Sequence, residues 1–345
     1  PPPPPAGSDG GATPPVPPPP PRAFAAERGQ AAGGDDRAVV AGWHGRFFLR
    51  DKEDNFRLYP GGNLSFDLGT WFGPGVSTDA IRAGGAGLSP RVSMRRARLE
   101  LGGEVLARWS FLLQVDFGAP MLLGTEGLAV GERAAATPRP ALGNAWINYA
   151  LCDCFNVSFG QMRSPVGMEN RTPIEALTLG ERSIATRSLV APGERETGLM
   201  LWGRLFDELL SYEVMGAGGD GNQRAQVDGS FDAMGRVVVR PLRAIEALED
   251  AHVGISARHG HRDQYGVGYD HPSIVTGQDL VLWAPTYTDA QGRLLRIHPS
   301  GAQNQIGGEL RIPVGPLDLR GELHYVANGT REAVDGFPLA PPNAE

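Results

Sequence analysis

Lysine is almost absent from this chain: of its 32 basic residues only Lys52 is a lysine. A GC-rich coding bias accounts for that as readily as a selected use of guanidinium groups, so abundant arginine alone is weak ground for an anion site. Positive charge is in deficit overall. The formal net charge of −7 at pH 7 argues against nucleic acid as a partner, since such binding needs a cationic surface. Cysteine is limited to Cys152 and Cys154 in L-C-D-C-F. Two thiols one residue apart cannot staple distant parts of a fold, and two ligands fall short of a structural zinc site. The pair reads as turn residues, with a local disulfide left open for an oxidising compartment. No run approaches the ~18 consecutive apolar residues of a transmembrane helix. That excludes a helical span but not a barrel strand, which needs only ~9–11 residues and alternates its faces.

What is abundant is glycine and proline, 48 and 30 residues, the composition of short strands joined by many turns. The prolines concentrate first in residues 1–36, where Pro1–Pro5 and Pro14–Pro21 favour extended polyproline II and supply no core. This segment reads as a periplasmic spacer or tether, separate from a domain spanning 37–345. It has no basic stretch followed by an apolar one, so the expectation is that any signal peptide has already been removed.

From about Trp43 onward the chain alternates with period two. Ala107, Trp109, Phe111, Leu113, Val115 and Phe117 fall on one face, with Arg108, Ser110, Gln114 and Asp116 on the other. Leu317, Leu319, Leu323 and Tyr325 likewise oppose Asp318, Arg320, Glu322 and His324. This alternation predicts strands near 55–72, 91–102, 106–118, 143–151, 155–161, 196–205, 209–217, 233–240, 250–260, 303–312 and 316–327. Soluble sandwiches alternate too. The connections decide between the classes, because short links alternate with the long segments 73–90, 119–142, 162–195, 218–232 and 261–302. Tight turns at one rim and long loops at the other are the habit of an outer-membrane barrel. Trp43, Trp71, Phe72, Phe117, Tyr149, Phe155 and Tyr325 lie toward strand ends, where interfacial girdles occur. The fold class expected is therefore all-β, a transmembrane antiparallel β-barrel. About eleven strands is an odd number for such a barrel, and P-L-A-P-P-N-A-E at the end is loop-like. The expectation is a chain lacking about four or five closing strands.

Several segments then resemble one family. R-R-A-R-L-E-L-G-G (Arg95–Gly103), W-S-F-L-L-Q-V-D-F (Trp109–Phe117), A-W-I-N-Y (Ala145–Tyr149), F-G-Q-M-R-S-P-V-G-M-E (Phe159–Glu169), E-R-S (Glu181–Ser183) and R-E-T-G (Arg195–Gly198) are similar in order and spacing to the phosphate-selective porin O and P family. The resemblance runs from about Gly45 to Leu242, more loosely beyond. It implies a 16-stranded homotrimer in the outer-membrane lipid that passes small anions or other small hydrophilic solutes, with a third loop folded into the barrel and basic side chains leading to a constriction. Arg95 and Arg96 match the arginine pair opening a family strand, Asp116 the acidic residue ending the next, and Arg163 a basic position in G-Q-x-[basic]-x-P.

By alternation, Arg96 and Arg98 share a face with Glu100, where they can present forked donors to an oxyanion. The long segment from Met162 to Arg195 carries Arg163, Arg171, Arg182, Arg187 and Arg195, against Glu169, Glu175, Glu181 and Glu194. Arg95, Arg96, Arg98, Asp116, Arg163, Arg171, Arg182 and Arg187 are the candidate pore-lining, anion-binding residues. The same charges can instead pair with one another and hold the loop against the wall. No nucleophile–base constellation and no phosphate cradle between strand and helix is present. The His259 and His261 pair at i, i+2 reads as incidental rather than as a metal site, and no cofactor, metal or catalytic group is expected. The second functional reading is a plugged structural or adhesive barrel whose proline-rich arm binds peptidoglycan or a partner protein.

Overall fold

A computed structural model describes residues 39–43, 47–70, 91–118, 140–190, 194–219, 221, 229–262, 274–275, 281–283 and 286–334. The proline-rich segment 1–36 and the aromatic pair Trp71 and Phe72 lie outside these residues.

The strands are β1 (Val39–Trp43), β2 (Phe47–Asp51), β3 (Phe56–Gly69), β4 (Arg91–Val105), β5 (Trp109–Asp116), β6 (Ala141–Cys152), β7 (Phe155–Arg163), β8 (Arg195–Leu205), β9 (Leu210–Ala217), β10 (Asp232–Val239) and β11 (His252–Arg262). After them come β12 (Ile274–Val275), β13 (Val281–Trp283), β14 (Thr286–Thr288), β15 (Leu294–Val314) and β16 (Leu317–Val334). Neighbours in sequence pair antiparallel from β1 through β11, then β15 follows β11, with β14 and β16 both pairing β15. The result is a 14-stranded sheet, beside a two-stranded β12–β13 ribbon. Among the described residues the sheet is not closed: β1 and β16 form its two ends.

The strand count corrects the sequence expectation of about eleven. The β1–β2 hairpin was missed because five-residue strands are too short to establish a period. Segment 261–302 is no plain loop, since it holds β12, β13, β14 and the first part of the 21-residue β15. The strand expected from Leu106 begins instead at Trp109, because Leu106 and Ala107 turn the chain with φ of 50° and 63°. Short and long links do alternate from β2 onward, but the three residues between β1 and β2 add a second short link at the start.

Burial along the strands is inverted relative to a soluble protein. On one face Ser110, Gln114, Asp116, Asn148, Ser158, Ser256, Arg258, Gln303, Gln305, Glu309 and Arg311 are buried. On the other Leu99, Leu113, Phe159, Ile255, Leu310, Leu323 and Tyr325 are exposed, Leu323 at 75 %. A mainly apolar exterior of this kind is disfavoured in water and expected in lipid, where every backbone group must also be paired within the sheet. The molecule is a β-barrel-like membrane sheet with a polar inward face. No helix among the described residues is long and apolar enough to cross a membrane.

Cys152 and Cys154, read from sequence as turn residues, form a disulfide across the β6–β7 turn. The turn is docked independently, with Arg204 N donating to Asp153 O at 2.9 Å and Tyr212 Oη to Cys154 O at 2.8 Å.

Candidate functional site

The connection between β7 and β8, described over residues 164–190 and 194, folds over the polar face instead of leaving the rim. It contains helix α1 (Met168–Arg171), a 3-10 turn (Ile174–Ala176) and helix α2 (Ile184–Leu189), which starts where Ser183 Oγ accepts from Thr186 N at 3.2 Å. Serine at this position caps an otherwise unpaired donor of the first turn.

Three sets of contacts seat it. Val166 and Val190 pack with Met162, Met200, Trp202, Met215, Ala217 and Met234 in a buried apolar cluster. Met200, Met215 and Met234 are directly paired neighbours across β8, β9 and β10, so one row of flexible thioethers interrupts the polar face and fits the irregular loop surface. Across the interior, Gly167 N donates to Ser256 Oγ on β11 at 3.3 Å, and Glu169 N donates to Glu322 Oε1 on β16 at 2.6 Å. Gly167 has φ of 75° and passes so close to β16 that an added Cβ would sit 3.0 Å from His324 Cε1. Within the loop, the Glu169 carboxylate accepts from Ser183 N at 3.0 Å and from Thr186 Oγ1 at 2.6 Å.

Arginines occupy the space between loop and wall. A β-bulge in β4 starts the arrangement: Ser65 pairs with Arg96 while Phe66 pairs with Met94, leaving Arg95 as the extra residue. An inserted residue shifts the face phase of its strand, so two consecutive side chains, Arg95 and Arg96, both reach inward. Arg95 Nε and Arg96 Nη2 each lie 2.6 Å from Glu181 Oε1, and Arg187 Nη1 lies 3.5 Å from Glu181 Oε2. Arg95 Nη1 also meets Asp67 Oδ2 at 3.3 Å.

Deeper, Arg98 Nη2 is 3.2 Å from Asp116 Oδ2, whose other oxygen accepts from Ala97 N and Gly118 N at 3.1 and 2.9 Å. Arg163 and Arg182 share Glu194 Oε2 at 2.9 and 3.3 Å. Arg195, 2 % exposed, donates to the neutral groups Asn144 Oδ1 at 3.2 Å and Gln114 Oε1 at 3.3 Å, within electrostatic reach of Arg98, Arg182, Glu194 and Asp116. Glu100 is within electrostatic reach of Arg98 and Arg195, so four guanidinium groups face three carboxylates. Burial alone would push the Glu194 carboxyl up; Arg182, Arg163 and Arg195 outweigh it and hold the group at about 2.

Opposite, Arg171 pairs with Glu213 on β9, Glu213 meets Arg236 at 3.4 Å, and Arg236 binds Glu309 in a fork at 2.6 and 3.0 Å. Here cation and carboxylate alternate one for one. Every residue anticipated from sequence therefore lies in an ion pair, and Arg171, paired on the balanced wall, also donates through Nη1 to Arg163 O at 2.9 Å.

These features converge on one lineage. The family model for phosphate-selective porin O and P matches residues 82–263, a little over half of the chain. The chain belongs to that family. No curated protein matches it.

The bulge gives the physical reason that Arg95 and Arg96, matched to a family pair in sequence, both reach Glu181. Sequence reading missed Asp67, Gln114 and Asn144 on the near wall and Glu213 and Arg236 on the far one. Each sits on a polar face but pairs with a residue far along the chain, so no local pattern signals it. A fourth cluster also went unseen: Asp232, fully buried, binds Arg258 Nε at 2.5 Å and Arg262 Nη1 at 2.7 Å beside Gly219. Among the described residues no group of three His, Cys, Asp or Glu is placed to hold a metal ion.

Proposed function

We propose that the protein is a passive outer-membrane porin whose β7–β8 connection narrows the pore and whose arginines favour anions. The observation that carries this is the arginine excess at the loop–wall junction: Arg98, Arg163, Arg182 and Arg195 around Asp116, Glu194 and Glu100. A lumen lined by more guanidinium than carboxylate charge attracts a passing anion and repels a cation. The polar inward face and apolar outward face support diffusion through a wetted interior within lipid. Phosphate enters as the solute that the family's name suggests. The trimeric assembly is carried over on the same footing.

The purified protein in planar bilayers is expected to give discrete conductance steps, with a reversal potential displaced toward chloride under a KCl gradient. A barrel that stays closed over a wide voltage range would sink the reading, and a reversal potential on the potassium side would remove its anion part.

A further inference from the structure

Three guanidinium groups converge on the Glu181 carboxylate, supplied by the chain itself, while Arg95 Nη1 also meets Asp67 Oδ2 at 3.3 Å. Oε1 is saturated by Arg95 and Arg96 at 2.6 Å each, whereas Oε2 has Arg187 only at 3.5 Å. The three arginine side chains are 12–14 % exposed and Glu181 24 %, so the donors are largely desolvated but the acceptor can still be reached. Arginine forks suit two or more oxygens at once. A carboxylate offers two oxygens in one plane, and here the second is poorly held. The donors come from a rigid bulge on β4 and from α2, whereas the acceptor lies in the non-helical stretch before α2. Much of the loop's anchorage, through Glu169, Glu194 and the Met row, does not depend on Glu181.

We propose that Glu181 is a tethered stand-in ligand: it occupies an oxyanion site made by Arg95, Arg96 and Arg187, and sets selectivity by requiring an incoming anion to displace it. A multivalent tetrahedral oxyanion, with more oxygens and more charge than a carboxylate, can do this; chloride, a single point acceptor, competes poorly. The inference rests on the porin reading for its consequence in transport, but the site itself can be tested without conduction. A ligand whose site is free only a fraction of the time binds more weakly by that fraction.

The test compares wild type with Glu181→Gln, an isosteric change that removes the charge, using inorganic phosphate as probe and chloride as control. In bilayers the phosphate concentration that halves the chloride current is expected to fall by about tenfold or more, the gain if the site is free about a tenth of the time or less. Adding Arg96→Gln to that variant should return phosphate block to wild-type weakness or below. The same ranking is expected by calorimetric titration of phosphate into detergent-folded protein, which needs no open pore. Absent conductance together with tighter phosphate binding by Glu181→Gln would discard the porin reading and keep the site. Unchanged or weaker phosphate binding by Glu181→Gln, in a protein with native heat-modifiable mobility, would overturn the proposal. If that mobility is lost, Glu181→Asp takes its place: the shorter carboxylate cannot reach both arginines on β4, so tighter phosphate binding supports the proposal and unchanged binding overturns it.

Discussion

The two walls flanking the β7–β8 connection use the same two residue types and differ in how they are counted. On the far wall Arg171, Glu213, Arg236 and Glu309 alternate, and the fork from Arg236 to Glu309 leaves each charge matched. On the near wall Arg95, Arg96 and Arg187 converge on Glu181 with Asp67 also against Arg95, Arg163 and Arg182 share Glu194, and Arg195 donates to amides. Matched buried charges are costly to separate but present no attraction to a mobile ion, since their fields cancel at short range. Arginines that share a carboxylate contribute less to holding the fold and more to the potential in the lumen. Stoichiometry, not the presence of arginine, distinguishes the wall that fastens the loop from the wall that meets the solute.

The largest expected effect lies on the far wall. Glu309→Met keeps side-chain bulk but strands Arg236 without its fork, and breaking one partner of a buried pair costs about 3–5 kcal/mol. The urea midpoint, followed by the heat-modifiable band on gels, should fall sharply while the reversal potential stays near wild type. If instead the reversal potential moves and the midpoint does not, the assignment of the walls is reversed.

A smaller, local effect is expected from acid on the near wall. Glu194 is held at about 2, below its ordinary 4.5. A carboxyl depressed in the folded state contributes stability that is fully present above its unfolded range and is lost as pH falls through the folded value. The loop should therefore stay seated at pH 4 and come free near pH 2. Pepsin, active across that interval, should cut within residues 177–189 at the lower pH only. Equal cutting at both would mean that Glu194 does not clamp Arg163 and Arg182.

Much of this architecture was legible in the sequence, for reasons that differ by element. In β5 and β16 strict alternation assigned each side chain to its face, because lipid outside and water inside act on every second residue. Integer counting cannot see a bulge, so alternation reached Arg96 and Arg98 but only resemblance supplied Arg95. The loop's mixed charges left open whether its arginines bind solute or one another. The ion pairs answer in part, since each arginine has a carboxylate or amide partner, yet two carboxylates are shared. Met200, Met215 and Met234 break the polar pattern one strand at a time, and only the cross-strand register turns three exceptions into a seat for Val166 and Val190. Glu213, Arg236 and Glu309 are the extreme case, as Arg236 and Glu309 are 73 residues apart.

The smallest expected effect lies outside both walls, in the β6–β7 turn. Closing a loop as short as C-x-C removes little entropy from the unfolded chain, under about 2 kcal/mol on the loop-closure model. The turn is also held without it, by the Asp153 and Cys154 carbonyls accepting from Arg204 N and Tyr212 Oη. The double change Cys152→Ser with Cys154→Ser should lower the urea midpoint only slightly and leave conductance, reversal potential and phosphate block unaltered. That outcome would make it the reference against which the wall variants are measured. A large change in any of the electrical readouts would mean that the turn is coupled to the loop junction, and selectivity could no longer be assigned to the near wall alone.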